Sequence, residues 1–239
     1  MADLGLARRI TGKTMSDIIE ILRLAKKPIE SFFTQRRLVA EKSWEEVILA
    51  LNTLSELSNH HVKAIAEVTA PILNRGDLIE TSRRYDLLVN NPDFPQGYDM
   101  IRGVLAATRS LPTFREASVK EKVQAVIDAS VKFQYGAFTL GWDSYHVADA
   151  FREAARVAAD EQPSADDVVR VTAPFIQTFT GLFQNASDAR PPKPPTTTAE
   201  MIAFLQWFCR SWQRYVQNTL YGGQGLNSAI GQLKMQQFA

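Results

Sequence analysis

The chain of 239 residues is 45% hydrophobic and 22% charged, which suits one large globular domain or two of about 100 to 120 residues. Its formal charge of +1 excludes a polybasic protein, and no run approaches the roughly 18 apolar residues that cross a bilayer. The single cysteine, Cys209, excludes an intramolecular disulfide, and the first residues lack the apolar segment of a secretory signal, so we expect a cytoplasmic-type compartment.

Apolar residues recur at helical spacing through most of the chain, and the alternation typical of strands is nearly absent, which predicts an all-α fold. The first predicted helix begins after Thr14, whose spacing to Asp17 fits a capping box. Pro28 is expected to break or restart that helix, because proline cannot donate the helical hydrogen bond. The apolar stripe of this helix consists of Ile18, Ile21, Leu22 and Ala25.

The rest of the first half contains four more predicted helices and one predicted loop. Ser43 with Glu46 predicts the start of the helix "WEEVILALNTLSEL", and Pro71 in "AEVTAPIL" should kink or divide the helix that follows. "GDLIETSRRYDLLVN" continues the helical pattern, whereas "NPDFPQG" is predicted to be a loop from its Asn, Pro and Gly content. "YDMIRGVLAATRSL" closes the first half at Pro112.

The second half repeats this pattern of helix starts and stops. Ser118 and Glu121 stand at capping-box spacing, and the segments "GWDSYHVADAFREAARVAAD" and "SADDVVRVTAPFIQTFTGLF" then predict two helices. "ARPPKPPTTT" is predicted to be an extended linker because its four prolines cannot continue a helix. Thr197 and Glu200 cap a last long helix, and the chain ends in "GGQGLNSAIGQLKMQQFA".

Several weak matches between the two halves share one spacing. Val68 to Pro71 recurs as Val171 to Pro174, and Met100-Ile101 with Arg109-Ser110 recurs as Met201-Ile202 with Arg210-Ser211, at offsets of 103 and 101. We therefore expect a tandem duplication into two similar bundles of about five to six helices each. The expected organisation is an N-terminal arm 1–13, repeat 1 at 14–113, repeat 2 at 116–218 with a proline-rich linker at 190–197, and a C-terminal arm 219–239.

No pattern in the sequence predicts catalysis, a cofactor or a metal. "TGKT" at 11–14 lacks the earlier glycine of a phosphate-binding loop, so Thr14 is better interpreted as a helix cap. His60, His61 and His146 lack the spacing of metal ligands, and we expect them at the surface or at helix ends. Cys209 falls within an apolar helix face and is expected to be buried. The carboxylate pairs Glu45-Glu46 and Asp166-Asp167 fit the first turns of helices, where they favour the helix dipole.

Charge is distributed unevenly along the chain. Residues 1–40 hold eight Lys or Arg against four Asp or Glu, and residues 190–239 hold five against one, whereas 41–189 hold fourteen against twenty-one. This pattern fits docking of a basic end onto an acidic body, contact with a polyanion, or solvated charge without a partner. Trp207 falls off the apolar stripe of the last helix beside Arg210 and Arg214, and "SFFTQRR" mixes aromatic and basic residues similarly.

We therefore expect a non-enzymatic, self-assembling structural subunit of a filament or shell, or a coat protein of a virion, that uses its terminal arms for contacts between copies. It would be a homo-oligomer, with nucleic acid as the candidate partner of its basic ends. The predicted contact residues are Arg8, Arg9, Arg36, Arg37, Trp207, Arg210 and Arg214. The alternative is a soluble helical ligand-binding or adaptor module with a pocket between the two repeats, lined by residues such as Phe133, Tyr135, Phe138 and Trp142.

Overall fold

The structure, a computed structural model, describes residues 4–36, 44–110, 114, 116–139, 144–183 and 192–238. Within these ranges the side chains of 4–16, 138, 139, 144–146, 183 and 238 are not described. All regular structure in the described ranges is helical and no strand occurs there, so the predicted all-α fold is confirmed.

The helices, in chain order, are α1 (Leu4–Arg36), α2 (Trp44–Arg75), α3 (Leu78–Val89), α4 (Asp93–Thr108), α5 (Ala117–Gln134), α6 (Ser144–Ala159), α7 (Ala165–Thr178), α8 (Thr198–Tyr221) and α9 (Leu226–Lys234). A π-helical turn follows α5 at Tyr135–Thr139, and a second follows α7 at Phe179–Phe183. A short 3-10 helix, Met235–Phe238, ends the described chain.

The chain divides into two compact units that interleave along the sequence. Unit 1 comprises Met1–Arg23, Lys63–Asn91 and Thr139–Gln213, and unit 2 comprises Leu24–Val62, Pro92–Phe138 and Arg214–Ala239. Each unit therefore combines three separate segments rather than one continuous half. The two-tandem-bundle duplication is not confirmed. Arg109 directly follows the end of α4, whereas its counterpart Arg210 lies in the middle of α8.

Unit 1 has a core of aromatic side chains in contact. Phe151 packs against Tyr85 and Phe175, with ring centroids 5.2 and 4.9 Å away, and Phe175 packs against Phe208 at 5.0 Å. All four side chains are buried. The apolar stripe of α8 contributes further buried side chains to this core, as its helical spacing predicts.

Pro71 lies inside α2, which continues to Arg75 without dividing. Because proline has no N–H, the carbonyl of Glu67 loses its helical donor, and Arg84 Nη1 of α3 donates to that carbonyl instead, at 2.7 Å. The Arg84 guanidinium is fully buried, and its Nε also donates to Glu80 Oε1 at 3.0 Å. A side chain from a neighbouring helix thus satisfies the group that the proline exposes.

The two Val-Thr-Ala-Pro segments share one local hydrogen bond. Thr69 Oγ1 donates to the carbonyl of Ile65, and Thr172 Oγ1 donates to that of Val168, both at 2.8 Å. Pro174, like Pro71, lies inside a helix. The matching segments therefore form the same local structure, in elements that differ in length and surroundings.

Unit 2 has a core organised around a histidine. His61 is fully buried in the middle of α2, where its ring stacks on Phe94 with centroids 4.3 Å apart. Its Nδ1 lies 3.3 Å from the hydroxyl of Tyr98, and the ring of Phe133 packs against it edge-on. Burial lowers the pKa of His61 to about 3. The prediction of a surface or helix-end histidine is wrong for His61, because the apolar side of α2 includes this position.

Two predicted helix breaks are wrong. Helix α1 continues through Pro28, which is buried between the core residues Ala25 and Phe32, so packing on both sides holds the helix together. "NPDFPQG" is helical from Asp93 onward, because the first turn of a helix needs no intrahelical donors and tolerates Pro95. Gly97 is buried there, and a Cβ on it would lie 2.7 Å from Ile29 and 2.8 Å from Leu57.

Helix caps show a mixed outcome. Thr14 lies inside α1, and α5 begins after Glu116 without a side-chain cap, so the capping boxes predicted at Thr14 and Ser118 are wrong. The box at Thr197 is confirmed, since its Oγ1 accepts from the N–H of Glu200 at 3.2 Å and the Glu200 carboxylate accepts from the N–H of Thr197. The predicted cap at Ser43 lies outside the described residues.

The C-terminal segment packs on its own unit. Leu226, Ile230 and Leu233 of α9 are buried, and α9 packs against α5. Lys234 Nζ donates to Asn52 Oδ1 of α2 at 2.6 Å. The residues predicted to form a C-terminal arm are therefore part of the core of unit 2. The predicted N-terminal arm forms the first turns of α1 from Leu4 onward.

Candidate functional site

The outer face of α8 is the strongest candidate site among the described residues. It consists of Glu200, Ala203, Trp207, Arg210 and Arg214, spaced three or four residues apart, and all are exposed except the half-buried Trp207. The opposite face of α8 is buried in the core, as predicted. Because the core stripe fixes how the helix lies, it also fixes the direction in which the outer face points.

Trp207 is held in place by two buried aromatic side chains. Its ring lies 4.4 Å from that of Phe179 and 5.7 Å from that of Phe204, measured between centroids. Phe179 begins the π-helical turn that ends α7. π-Helical turns are rare in proteins overall, but those that occur are often found at functional sites. Trp207 thus presents a positioned, partly exposed aromatic ring.

Arg210 and Arg214 are exposed cations. No ion pair joins either guanidinium to a carboxylate of the described residues. Several other exposed arginines form such pairs: Arg23 with Glu20, Arg83 with Glu80, Arg152 with Asp86, Arg156 with Glu153, and Arg170 with Asp167. The positive charge of the outer face is therefore not locally neutralised.

A shallow groove of about 270 Å³ adjoins the outer face in unit 1. It lies between the non-helical segment 192–196 and the first turns of α8, and Lys193 is exposed at its rim. The lining residues are Pro192, Lys193, Pro194, Glu200, Ala203 and Phe204. Most of this lining is apolar, and its two charges are of opposite sign.

The carboxylate in the groove is already engaged by the backbone. Glu200 Oε2 accepts hydrogen bonds from the N–H of Thr196 at 2.8 Å, the hydroxyl of Thr196 at 2.9 Å and the N–H of Thr197 at 3.2 Å. The bond from the backbone of Thr196 does most to lower the pKa of Glu200. These donors favour the ionised form of Glu200, so the groove holds one negative and one positive side chain, and no ion pair joins Lys193 to a carboxylate of the described residues.

The other predicted contact residues do not join this surface in the described structure. Arg36 is half-exposed, and its Nε donates to Glu46 Oε1 at 2.6 Å in unit 2, so its charge is neutralised locally. Arg8 and Arg9 lie within α1, but their side chains are not described, and Arg37 lies outside the described residues. Of the predicted set, the structure groups Trp207, Arg210 and Arg214.

The candidate catalytic and metal-binding residues form no site in the described part of the chain. Cys209 is buried, as predicted, and burial raises the pKa of its thiol to about 12. No group of three or more His, Cys, Asp or Glu side chains that could hold a metal occurs among the described residues. The segment 11–14 is helical within α1. The carboxylate pairs lie in the first turns of α2 and α7, as predicted.

The predicted ligand pocket falls only partly within the described residues. Phe133 is fully buried against His61 and Tyr98, whereas Tyr135, two residues later, is exposed. The side chain of Phe138 and all of Trp142 lie outside the description.

Two contributors to the candidate site were missed at the sequence level. Phe179 supports Trp207 from another helix, and Lys193 lies in a segment that we interpreted only as a linker. The confirmed capping box next to that segment is a sequence signal that could have placed Lys193 near the start of α8.

Comparisons with known proteins add no assignment. No protein-family model, curated protein or solved structure matches the chain. Among the described residues, no helix is long and apolar enough to span a membrane. Function therefore has to be inferred from the described surface.

Proposed function

We propose that this protein is a non-enzymatic, self-assembling structural subunit that coats nucleic acid, with the outer face of α8 as its nucleic-acid contact. The observation that carries this proposal is the pair Arg210 and Arg214, exposed and without a carboxylate partner among the described residues, beside the half-buried ring of Trp207. Phosphate contacts by Lys and Arg supply most of the affinity of sequence-independent binding, and aromatic rings add stacking with bases.

Self-assembly is supported by the uneven charge of the chain. The basic ends and the acidic middle are complementary between copies, and the first 13 residues carry three basic side chains against one acidic. Helix α9 is buried on its own unit, so we assign the contacts between copies to the N-terminal segment rather than to the C-terminal one. A coat needs such contacts because each copy covers only a short stretch of strand.

The nucleic-acid contact is tested by fluorescence anisotropy of a labelled 20-nucleotide strand at low salt. Arg210→Ala/Arg214→Ala should weaken binding about tenfold or more, since two phosphate contacts are lost. The matched control is Lys27→Ala/Lys132→Ala, which removes two exposed cations elsewhere and should change affinity much less. Equal losses in both double variants would contradict the assignment to α8.

Self-assembly is tested by size-exclusion chromatography with light scattering. Full-length protein should form oligomers whose mass increases with concentration, and deletion of residues 1–13 should shift it toward monomer. A full-length protein that stays a monodisperse monomer at high concentration would rule out a self-assembling subunit.

A further inference from the structure

The groove beside the outer face of α8 has the size and lining of a site for one planar side group. Its volume is about 270 Å³, and four of its six lining residues, Pro192, Pro194, Ala203 and Phe204, are apolar. Binding sites for small planar groups combine apolar walls with a few polar groups that fix orientation. Here Lys193 supplies the cation at the rim.

The groove, Trp207 and Arg210 follow one another along one face of α8 in unit 1. Ala203 lines the groove, Trp207 follows one turn later, and Arg210 follows one turn after that. From Ala203 to Arg210 the helix rises about 10 Å, which matches roughly three stacked nucleotides at about 3.4 Å each. Trp207 also contacts Phe204, a residue of the groove.

We infer that the groove and Trp207 bind unpaired bases, so that the nucleic acid on this surface is single-stranded. This inference rests on the proposed function and specifies its substrate class. A duplex keeps the faces of its bases stacked inside, so it can meet the cations but cannot place a base in the groove or on the indole. A single strand can do both, with its phosphates beside Lys193 and Arg210.

The electrostatics of the surface fit this occupant. Lys193 and Arg210 have no ion-pair partner among the described residues, whereas the Glu200 carboxylate accepts three hydrogen bonds from Thr196 and Thr197. Two cations, Lys193 and Arg210, against this one ionised carboxylate leave a net attraction for an anion beside the rim of the groove. The apolar walls favour the flat, uncharged part of the same ligand. A nucleotide combines these two features.

The test compares 20-nucleotide ribo- and deoxyribo-oligomers with a 20-base-pair duplex in the same anisotropy assay. Full-length protein should bind the single strands at least tenfold more tightly than the duplex. Ala203→Phe fills the groove and should remove most of this preference, while Ala199→Phe adds the same ring at an exposed position outside the groove lining and should retain it. Trp207→Leu keeps apolar contact with Phe179 and should weaken single-strand binding by roughly tenfold.

The outcomes separate this inference from the proposed function. The inference is overturned, and the proposed function stands, if salt-dependent binding is equal for strand and duplex and Ala203→Phe leaves it unchanged. Absence of salt-dependent binding to any of the oligomers overturns both. Lys193→Ala provides a second variant at an exposed position, and loss of the strand preference in it supports the inference even where Ala203→Phe disturbs folding. A stronger response of ribo- or deoxyribo-strands identifies which of the two the surface prefers.

Discussion

Burial of His61 makes the stability of unit 2 sensitive to mild acid. Its folded-state pKa of about 3 lies below the roughly 6.5 of an exposed histidine, because burial removes the water that would stabilise the charged ring. Below pH 6.5 the unfolded chain therefore binds a proton that the folded chain does not. The stability that uncharged His61 contributes above pH 6.5 is therefore lost progressively as the pH falls toward 3.

The size of this loss follows from the pKa difference. Each pH unit between the two pKa values costs about 1.4 kcal/mol, so lowering the pH from 7.5 to 5.0 should reduce the free energy of unfolding by about 2 kcal/mol through His61 alone. That is a large fraction of the roughly 5 to 15 kcal/mol typical of a folded protein. Carboxylates contribute little in this interval because they titrate mainly below pH 5.

The assay is urea unfolding at pH 7.5 and 5.0, followed by circular dichroism. His61→Gln lacks the titrating ring, so it should be less stable at pH 7.5 but should lose about 2 kcal/mol less than the original chain on acidification. His60→Gln is the matched control, since it changes the adjacent, less buried histidine and should retain the loss on acidification that comes from His61. An equal loss of stability in the original chain and in His61→Gln, or an NMR titration of the His61 ring near pH 6.5, would refute this reasoning.

Three further predictions concern packing and reactivity. Gly97→Ala should destabilise the protein by roughly 1 to 3 kcal/mol in thermal or urea unfolding, because the new Cβ would contact Ile29 and Leu57 too closely. Gly103→Ala on the same helix has open space and should stabilise by up to about 1 kcal/mol, so equal effects of the two variants would contradict this packing. Arg84→Met should lower the free energy of unfolding by about 3 to 5 kcal/mol. The loss should be smaller in a background with Pro71→Ala, which restores an N–H donor for the carbonyl of Glu67, and additive losses would show that Arg84 and Pro71 are not coupled. Cys209 should resist a maleimide at pH 8 in the folded protein and react in urea, and labelling of the folded state within minutes would show that the thiol is accessible.

The sequence predicts what depends on local spacing. The buried stripe of α8, the burial of Cys209 and the capping box at Thr197 all follow from residues three or four positions apart, and all are confirmed. Trp207 and Arg210 could be assigned to the outer face for the same reason.

What the sequence did not predict depends on contacts between distant residues. Pro71 remains inside a helix with the help of Arg84 from α3, and "NPDFPQG" becomes helical where Gly97 packs on Ile29 and Leu57. Residues 219–239 are predicted to form an arm for contacts between copies, but α9 buries Leu226 and Leu233 against its own unit. Neither these partners nor the support of Trp207 by Phe179 leaves a local pattern in the sequence.

The central claim, that Arg210 and Arg214 contact phosphates, is tested most directly by the salt dependence of binding to a single strand. The logarithm of the binding constant should fall linearly with the logarithm of the NaCl concentration, with a slope of about −0.7 for each phosphate neutralised. Arg210→Ala/Arg214→Ala should make this slope shallower by about 1.4, whereas Arg210→Lys/Arg214→Lys, which keeps the charge, should leave it unchanged. A slope that stays the same in the alanine variant, or binding that does not depend on salt, would contradict the claim.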